Sequence, residues 1–283
     1  MSIPASLVKQ LRDDTGAPMM ECKKALVETN GDLEAAKQVL RERGAAVHAK
    51  RAGKEATAGV IAAAVSPDRR AAAMIELRCE TDFVGRNEEF IALAARIAEA
   101  VLEGAPGGAG TEEVLAFKLD GGSVRDAVAD ITGKIGERIE LGRVLKRATP
   151  DGLLDTYIHH DKSKGVLIEM TGGDDSLADL AHSIAIHIAW GDPEYISRDE
   201  IQQERIEKEL ETERQRAINE GKPEQAAQKI AEGRVNKLFF QRVCLLDQPF
   251  MGQKESVADL INQAKKEGIA PRVVSFTRFA IGA

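Results

Sequence analysis

The sequence predicts an α+β protein built in several parts, and three observations carry that expectation. Alanine, glutamate, leucine and isoleucine abound while aromatics make up only 4% of the 283 residues, which favours helix and argues against an all-β sandwich. A β-β-α-α-β pattern occurs twice after residue 57, so the body reads as two related core subdomains. At roughly 150 residues per domain, the chain is also too long for one small core.

Residues 1–45 read as a head of three short helices around a small core. Pro4 opens the first, with Leu7, Val8 and Leu11 at helical spacing, and Thr15-Gly16-Ala17-Pro18 breaks it. The second runs from Met19 to Thr29. Asn30-Gly31 turns the chain, Asp32 caps the third helix, and Leu33, Ala36, Val39 and Leu40 form its apolar stripe. Gly44 is expected to end it, leaving 46–57 as a basic, alanine-rich linker.

The first core subdomain, 58–148, has the strand GVIAAAV, a turn at Ser66-Pro67-Asp68, and the strand AAAMIEL. Helices over 88–102 and 124–136 follow, separated by the flexible glycine-rich stretch EGAPGGAG, and the strand ERIELGRV closes the unit. Ser123 with Asp126 resembles a capping box. The second subdomain, 149–283, repeats the order with LLDTYIHH, GVLIEMT, two helices and RVVSFTRFAIG. Ile75-Glu76-Leu77 superposes on Ile168-Glu169-Met170. Ile139, Leu141, Arg143 and Val144 are echoed by Val274, Phe276, Arg278 and Phe279. An insertion at 197–240 interrupts this unit. It is strongly charged, with sparse apolar positions at Ile201, Ile206, Leu210, Ile218 and Ile230, and Gly221-Lys222-Pro223 breaks it once. Two antiparallel helices with a thin seam would project as a hairpin, either a solvated pair or a partner-binding arm and a candidate for self-association.

Charge narrows the function. The net is −7 with a pI near 5.5, which disfavours tight nucleic-acid binding, since that needs many phosphate-neutralising cations. Residues 1–54 hold 10 Lys+Arg against 7 Asp+Glu, a net of +3, which leaves −10 for the rest of the −7 total. A weakly basic head on an acidic body suits a protein partner at least as well as RNA, and no specific nucleic acid is expected. Cys22, Cys79 and Cys244 are far apart and form no CxxC, which excludes a zinc ribbon and fits a reducing compartment. The N-terminus has no apolar signal core, and no apolar run approaches the ~20 residues of a membrane span. A cytoplasmic protein without membrane contact is expected.

Catalytic constellations are scarce. His182 and His187 lie five positions apart, about 140° around a helix, so they cannot share a metal as an i, i+4 pair would. His187 borders the stripe of Leu177, Leu180, Ala181, Ile184 and Ile188 and reads as packing. His159 and His160 are expected to alternate across a strand onto opposite faces. There is no GxxxxGK[ST], GxGxxG or GxSxG, and no cofactor is expected. Cys22 and Cys79 each adjoin an acid, Glu21 and Glu80, which disfavours a thiolate.

Three stretches nevertheless invite a partner. Met19-Met20 is soft apolar surface at a helix start, unless the small bundle buries both. KIGERI, 134–139, is a helix exit whose Gly136 reads either as a plain cap or as a contact. RCETDFVGRNEEF, 78–90, carries Phe83 and Val84 directly after an acid in an expected loop. There the ring either tucks under the turn or faces something outside.

LVKQLRDDTGAPMMECKKAL, 7–26, and IELRCETDFVGR, 75–86, resemble the two signatures of the bacterial translation elongation factor Ts family. KIGERI and Tyr157-Ile158-His159 match further family stretches, and the similarity covers nearly the whole chain. The resemblance implies a ubiquitin-associated-like (UBA-like) three-helix head, two related core subdomains and a protruding coiled-coil hairpin. It implies a guanine-nucleotide exchange factor for elongation factor Tu, bound to GDP or nucleotide-free, with no chemistry of its own. Thr81, Asp82, Phe83 and Val84 would then form the loop whose Asp-Phe enters the GTPase near its magnesium and phosphate site. Arg12, Met19, Met20 and Lys23 of the head, with Ile135 and Gly136, would make further contacts, and His159 would meet another domain of the partner. The chain departs from the family pattern in Pro18 for glycine, Arg78 for asparagine, Gly85 for alanine or serine, the turn HHDKSKG, and an end at RFAIGA without the helical tail of some members. Two rival classes are a structural or RNA-associated scaffold, using Lys50, Arg51 and Lys54, and a thiol enzyme on Cys79.

Overall fold

Proline and glycine punctuate the N-terminal helices as the sequence leads one to expect. In the computed structural model, which describes residues 3–51, 53–173, 177–266 and 270–282, α1 (Ala5–Thr15) follows Pro4. It ends where Gly16 turns left-handed and gives its N–H to Arg12 O at 2.7 Å. Position 52 of the expected linker, 175–176 and 267–268 in two expected helices, and 283 lie outside the described residues. α2 (Met19–Glu28) begins after Pro18, whose φ of −56° suits that place. Asp32 Oδ1 accepts the Ala35 N–H at 3.0 Å and caps α3 (Leu33–Arg51). Val8, Leu11, Ala17, Cys22, Ala25, Leu26 and Ala36 form the small core beneath them.

Gly44 does not end α3. The helix continues to Arg51, so the first half of the expected basic linker is helical. The cause is tertiary. Gly44 is buried where α3 crosses α7 (Val124–Ile135), and a Cβ there would lie 3.0 Å from Ala129 O. A Cβ on Gly133 would lie 2.8 Å from the Gly44 Cα. Two glycines let the backbones touch, and the buried crossing outweighs the roughly 1 kcal/mol that a glycine costs within a helix.

The body is a stack of helices, sheet, sheet and helices. β1 (Ala58–Val65), β2 (Ala71–Cys79) and β5 (Ile139–Ala148) form one antiparallel sheet in the order β1-β2-β5. β6 (Leu153–Ile158), β7 (Lys164–Thr171) and β8 (Arg272–Ala280) form the other in the order β6-β7-β8. Val60, Ala73, Ile75 and Leu77 face α5 (Glu88–Gly104) and α7, while Val166, Ile168 and Met170 face α8 (Leu177–Gly191) and α12 (Val257–Lys266). The alternate positions Ile61, Ala72 and Met74 meet Leu154, Leu167 and Phe279 between the sheets. That is why AAAMIEL and GVLIEM are apolar on both faces: each middle strand is covered twice. Glu76 is a polar member of this layer, fully buried and held by Arg143 Nε and Arg78 Nη2, each at 2.9 Å. Burial alone would raise its carboxyl, but these two cations hold it below its ordinary value.

The repeat is present with a corrected register. Ile75 pairs with Val144 and Leu77 with Leu141, while Ile168 pairs with Phe276 and Met170 with Val273. Val144 therefore corresponds to Phe276 and Leu141 to Val273, three positions from the alignment read off the sequence. A bulge in each sheet, between Ile75 and Leu77 and between Glu169 and Met170, breaks the two-residue period. The expected capping box is formed, with Asp126 N–H donating to Ser123 Oγ at 3.1 Å and Ser123 N–H to Asp126 Oδ2 at 2.9 Å. The same box, Ser256 with Asp259, opens α12. The glycine-rich stretch is followed by α6 (Thr111–Leu115) and a two-residue hairpin of β3 (Lys118–Leu119) and β4 (Gly122–Ser123), which periodicity did not reveal.

Within the insertion, α9 (Gln203–Asn219) and α10 (Glu224–Arg234) lie side by side; their fully buried residues are Ala217, Ala227 and Ala231, while Ile218 and Ile230 are half-buried. Arg234 pairs with Glu213 and Glu220 across the seam. At its root Ile201, Val235 and Phe239, with Phe240 and Val243 of the short α11 (Phe240–Val243), form a separate core with Tyr195, Ile206 and Leu210.

The glycine crossing gives a direct expectation. Gly133→Val should lower stability by about 1–3 kcal/mol through backbone clash. Gly233→Ala, on α10 in open space, should raise it by about 0.5–1 kcal/mol. Urea unfolding followed by far-UV circular dichroism measures both.

Candidate functional site

At the end of β2 the chain passes into a single helical turn, α4 (Asp82–Gly85), not the open loop expected from its composition. Val84 is buried in the helix-covered core while Phe83 is 81% exposed. The ring that could have tucked under the turn points outward, and its neighbour is the anchor. Asp82 is exposed beside it and pairs with Arg86 at 3.0 Å. Asn87 Oδ1 then accepts the Phe90 N–H at 3.1 Å and starts α5. Thr81 is extended, and its hydroxyl donates to the Glu137 carboxylate, 2.9 Å from Oε1 and 3.0 Å from Oε2. An alanine would fit at Gly85, where an added Cβ meets Gly59 O at an ordinary 3.5 Å.

KIGERI forms the exit of α7. Gly136 adopts φ 80° and gives its N–H to Thr132 O at 2.8 Å, so it is the cap of this helix, with open space on its outer side. Ile135 is half-buried against the core. Glu137 reaches Thr81, so this exit and the Phe83 turn lie together.

The head approaches the same edge. A Cβ on Gly16 would lie 2.7 Å from Lys134 Nζ, which places the α1–α2 turn against the last turn of α7. Arg12 and Lys23 are exposed, as are Met19 at 51% and Met20 at 62%. The small bundle buries neither methionine. The site residues expected in the head, at the α7 exit and at Phe83 thus join through Gly16–Lys134 and Glu137–Thr81.

His159 stands apart, half-buried in the turn between β6 and β7. Its Nδ1 is 2.9 Å from the Tyr157 hydroxyl. Its ring meets that of His160 edge-on at 4.3 Å, so the two do not project from opposite faces. The strand ends at Ile158, and alternation ends with it. The turn touches the first sheet where Ile61 N–H donates to Lys162 O at 2.7 Å.

The rival chemistries find little support. Burial, reinforced by the Glu137 charge, pushes the Cys79 thiol up to about 12, so it is no thiolate at neutral pH. Arg51 of the expected basic linker is paired with Glu80 at 2.8 Å rather than extended as an RNA-binding arm. Among the described residues no group of three or more His, Cys, Asp or Glu could hold a metal ion, and no helix is long and apolar enough to cross a membrane. His187 is fully buried. Met251 N–H donates to its Nδ1 at 3.1 Å, and Nε2 donates to Gln248 Oε1 at 2.9 Å, an amide fixed by its own donations to Gly191 O and Arg242 O. Exposed Val27, Trp190, Leu238 and Met251 were not singled out by sequence, and isolated apolar residues leave no periodic signal.

Burial lowers the His187 pKa. Its neutral form contributes stability in full above the unfolded value of about 6.5, and that contribution is lost as pH falls through the depressed native value. Urea midpoints should therefore drop between pH 7.5 and 5.5, and His187→Gln should show a smaller drop.

A family model described as Elongation factor TS matches residues 80–283. The chain is 43% identical over 288 residues to Elongation factor Ts of Prosthecochloris aestuarii, covering 99% of both proteins. It is 42% identical over 287 residues to Elongation factor Ts of Clostridium perfringens, covering 99% of this chain and 93% of the relative. To Elongation factor Ts of Thioalkalivibrio sulfidiphilus it is 40% identical over 284 residues, covering 100% of this chain and 93% of the relative.

Proposed function

Because the chain belongs to the elongation factor Ts family, we propose that it is a guanine-nucleotide exchange factor in translation elongation, binding elongation factor Tu with GDP and promoting GDP release. The observation that carries this role is Phe83, 81% exposed on a single helical turn whose next residue is buried. An exposed phenyl ring gains nothing in water, and aromatic residues that anchor interfaces are its ordinary explanation.

GDP on a GTPase is held largely by Mg²⁺ and by backbone N–H groups around the phosphates. Phe83, wedged between helices of the GTPase, displaces groups that support this site. Asp82 brings a negative charge where phosphate and metal must be matched. Binding of this protein and of GDP therefore oppose one another, and linkage makes the opposition equal in both directions. No covalent step is involved, and the protein is not an enzyme in the chemical sense.

Thr81 and Val84 form the mount of this wedge. Arg12, Met19, Met20 and Lys23 give the GTPase a second surface, continuous with Ile135 and Gly136, and His159 meets a further domain of it. The three-helix head is the UBA-like module, 197–240 the coiled-coil hairpin, and 58–148 and 149–283 the two core subdomains, with the third helix of the head running on to Arg51 in place of a boundary at 45. The protein works in the cytoplasm, where its GTPase partner turns over.

Phe83→Ala should keep its fold, since its side chain is exposed. Losing an interfacial anchor costs about 2 kcal/mol, roughly a 30-fold slower release of fluorescent GDP from elongation factor Tu. Wild-type release rates from a folded Asp82→Ala, Phe83→Ala double variant would rule the wedge out.

A further inference from the structure

A four-residue helix cannot hold itself, because one turn fixes several dihedral angles for almost no internal hydrogen bonding. α4 has one buried side chain, Val84, to fasten it. Yet a wedge that must enter a partner in one orientation needs a mount that is ordered beforehand. Two glutamates supply it. Arg138 N–H donates to Glu80 Oε1 at 2.6 Å, and Thr81 N–H donates to Glu137 Oε2 at 3.1 Å. Each segment's carboxylate thus takes the other segment's backbone amide.

Charge-assisted bonds of this kind are short and directional, and here they cross between the end of β2 and the exit of α7. The Thr81 hydroxyl adds its own donation to Glu137. Glu80 is gripped from a third side by Arg51 Nη1, at 2.8 and 3.0 Å from its two oxygens. Arg51 is the last residue of α3, whose course is set by the Gly44–Gly133 crossing. Arg138 itself extends to Lys54 O and Glu140.

We propose that Glu80 and Glu137 are positioning residues for nucleotide exchange, aiming Asp82-Phe83 through Thr81, and that Arg51 ties this aim to the seating of the N-terminal head. The proposal rests on the exchange role above and adds residues that touch neither nucleotide nor wedge tip.

A double-mutant cycle tests it. Release of fluorescent GDP from elongation factor Tu is followed with increasing wild-type protein, Glu137→Ala, Phe83→Ala and the double variant, with thermal midpoints recorded for each. Glu137→Ala should slow the saturating rate by about threefold to thirtyfold, no more than Phe83→Ala itself, while the concentration for half-maximal effect changes less. Glu137→Gln, which keeps an oxygen for the Thr81 N–H, should recover part of the rate. In the Phe83→Ala background, Glu137→Ala should change the rate by less than about twofold, because no ring remains to be aimed. If Glu137→Ala fails to fold, Thr81→Val, which removes only the hydroxyl donation, takes its place in the cycle with a smaller expected effect. A folded Glu137→Ala exchanging at the wild-type rate, or effects that multiply fully with those of Phe83→Ala, would overturn the proposal. Wild-type rates from Phe83→Ala alone would overturn the wedge itself, and the positioning role with it.

Discussion

Gly44 and Gly133 meet where α3 crosses α7, close enough that a methyl group on either would fall 2.8–3.0 Å from backbone atoms of the other helix. Most of the exposed edge follows from this contact. It lets the third helix of the head lie along the core instead of stopping short of it. The α1–α2 turn, with Met19 and Met20 beyond it, comes to rest beside Lys134. The far end of the same helix brings Arg51 to Glu80, one residue before Thr81. A larger residue at the crossing would separate the helices, and the head and the Phe83 turn would lose their common reference.

The two-sheet body supplies the stiffness behind that edge. β2 is covered by helices on one face and by the second sheet on the other, so it is a rigid stem for the turn that carries Phe83. Glu76 is buried between the sheets with Arg78 and Arg143, and Arg143 also donates to Ala280 O at 2.7 Å in the last strand. A buried carboxylate with two cations is costly to break, because removing one partner strands a charge. It ties the strand leading to the Phe83 turn to both sheets.

Local features were legible in the sequence, and long-range ones were not. The Ser123–Asp126 box, the stop at Gly16 and the doubly apolar middle strands depend on neighbours within a few positions or on a two-residue period. The duplication was visible, but its closing strands were aligned three positions off, since bulges restart the alternation that the alignment relied on. The end of α3 was misplaced because glycine reads as a stop when its partner helix is unknown. The candidate site divides in the same way. Met19, Met20 and Phe83 drew notice as apolar residues in polar surroundings, and the resemblance of their motifs to elongation factor Ts said what they could meet. Glu80 stands out in the sequence only as the acid beside Cys79 and Glu137 only as part of KIGERI, because the amides they accept from lie in the other segment.

That Phe83 is aimed at the nucleotide site of the GTPase is the claim to which the others lead. Photocrosslinking tests it most directly, with p-benzoylphenylalanine placed at position 83 and the adduct with elongation factor Tu mapped by mass spectrometry. The account requires a crosslink to the guanine-nucleotide domain, in the helices flanking the magnesium and phosphate site, that weakens as GDP is added. A crosslink confined to this chain, or to a Tu domain remote from the nucleotide, would contradict it.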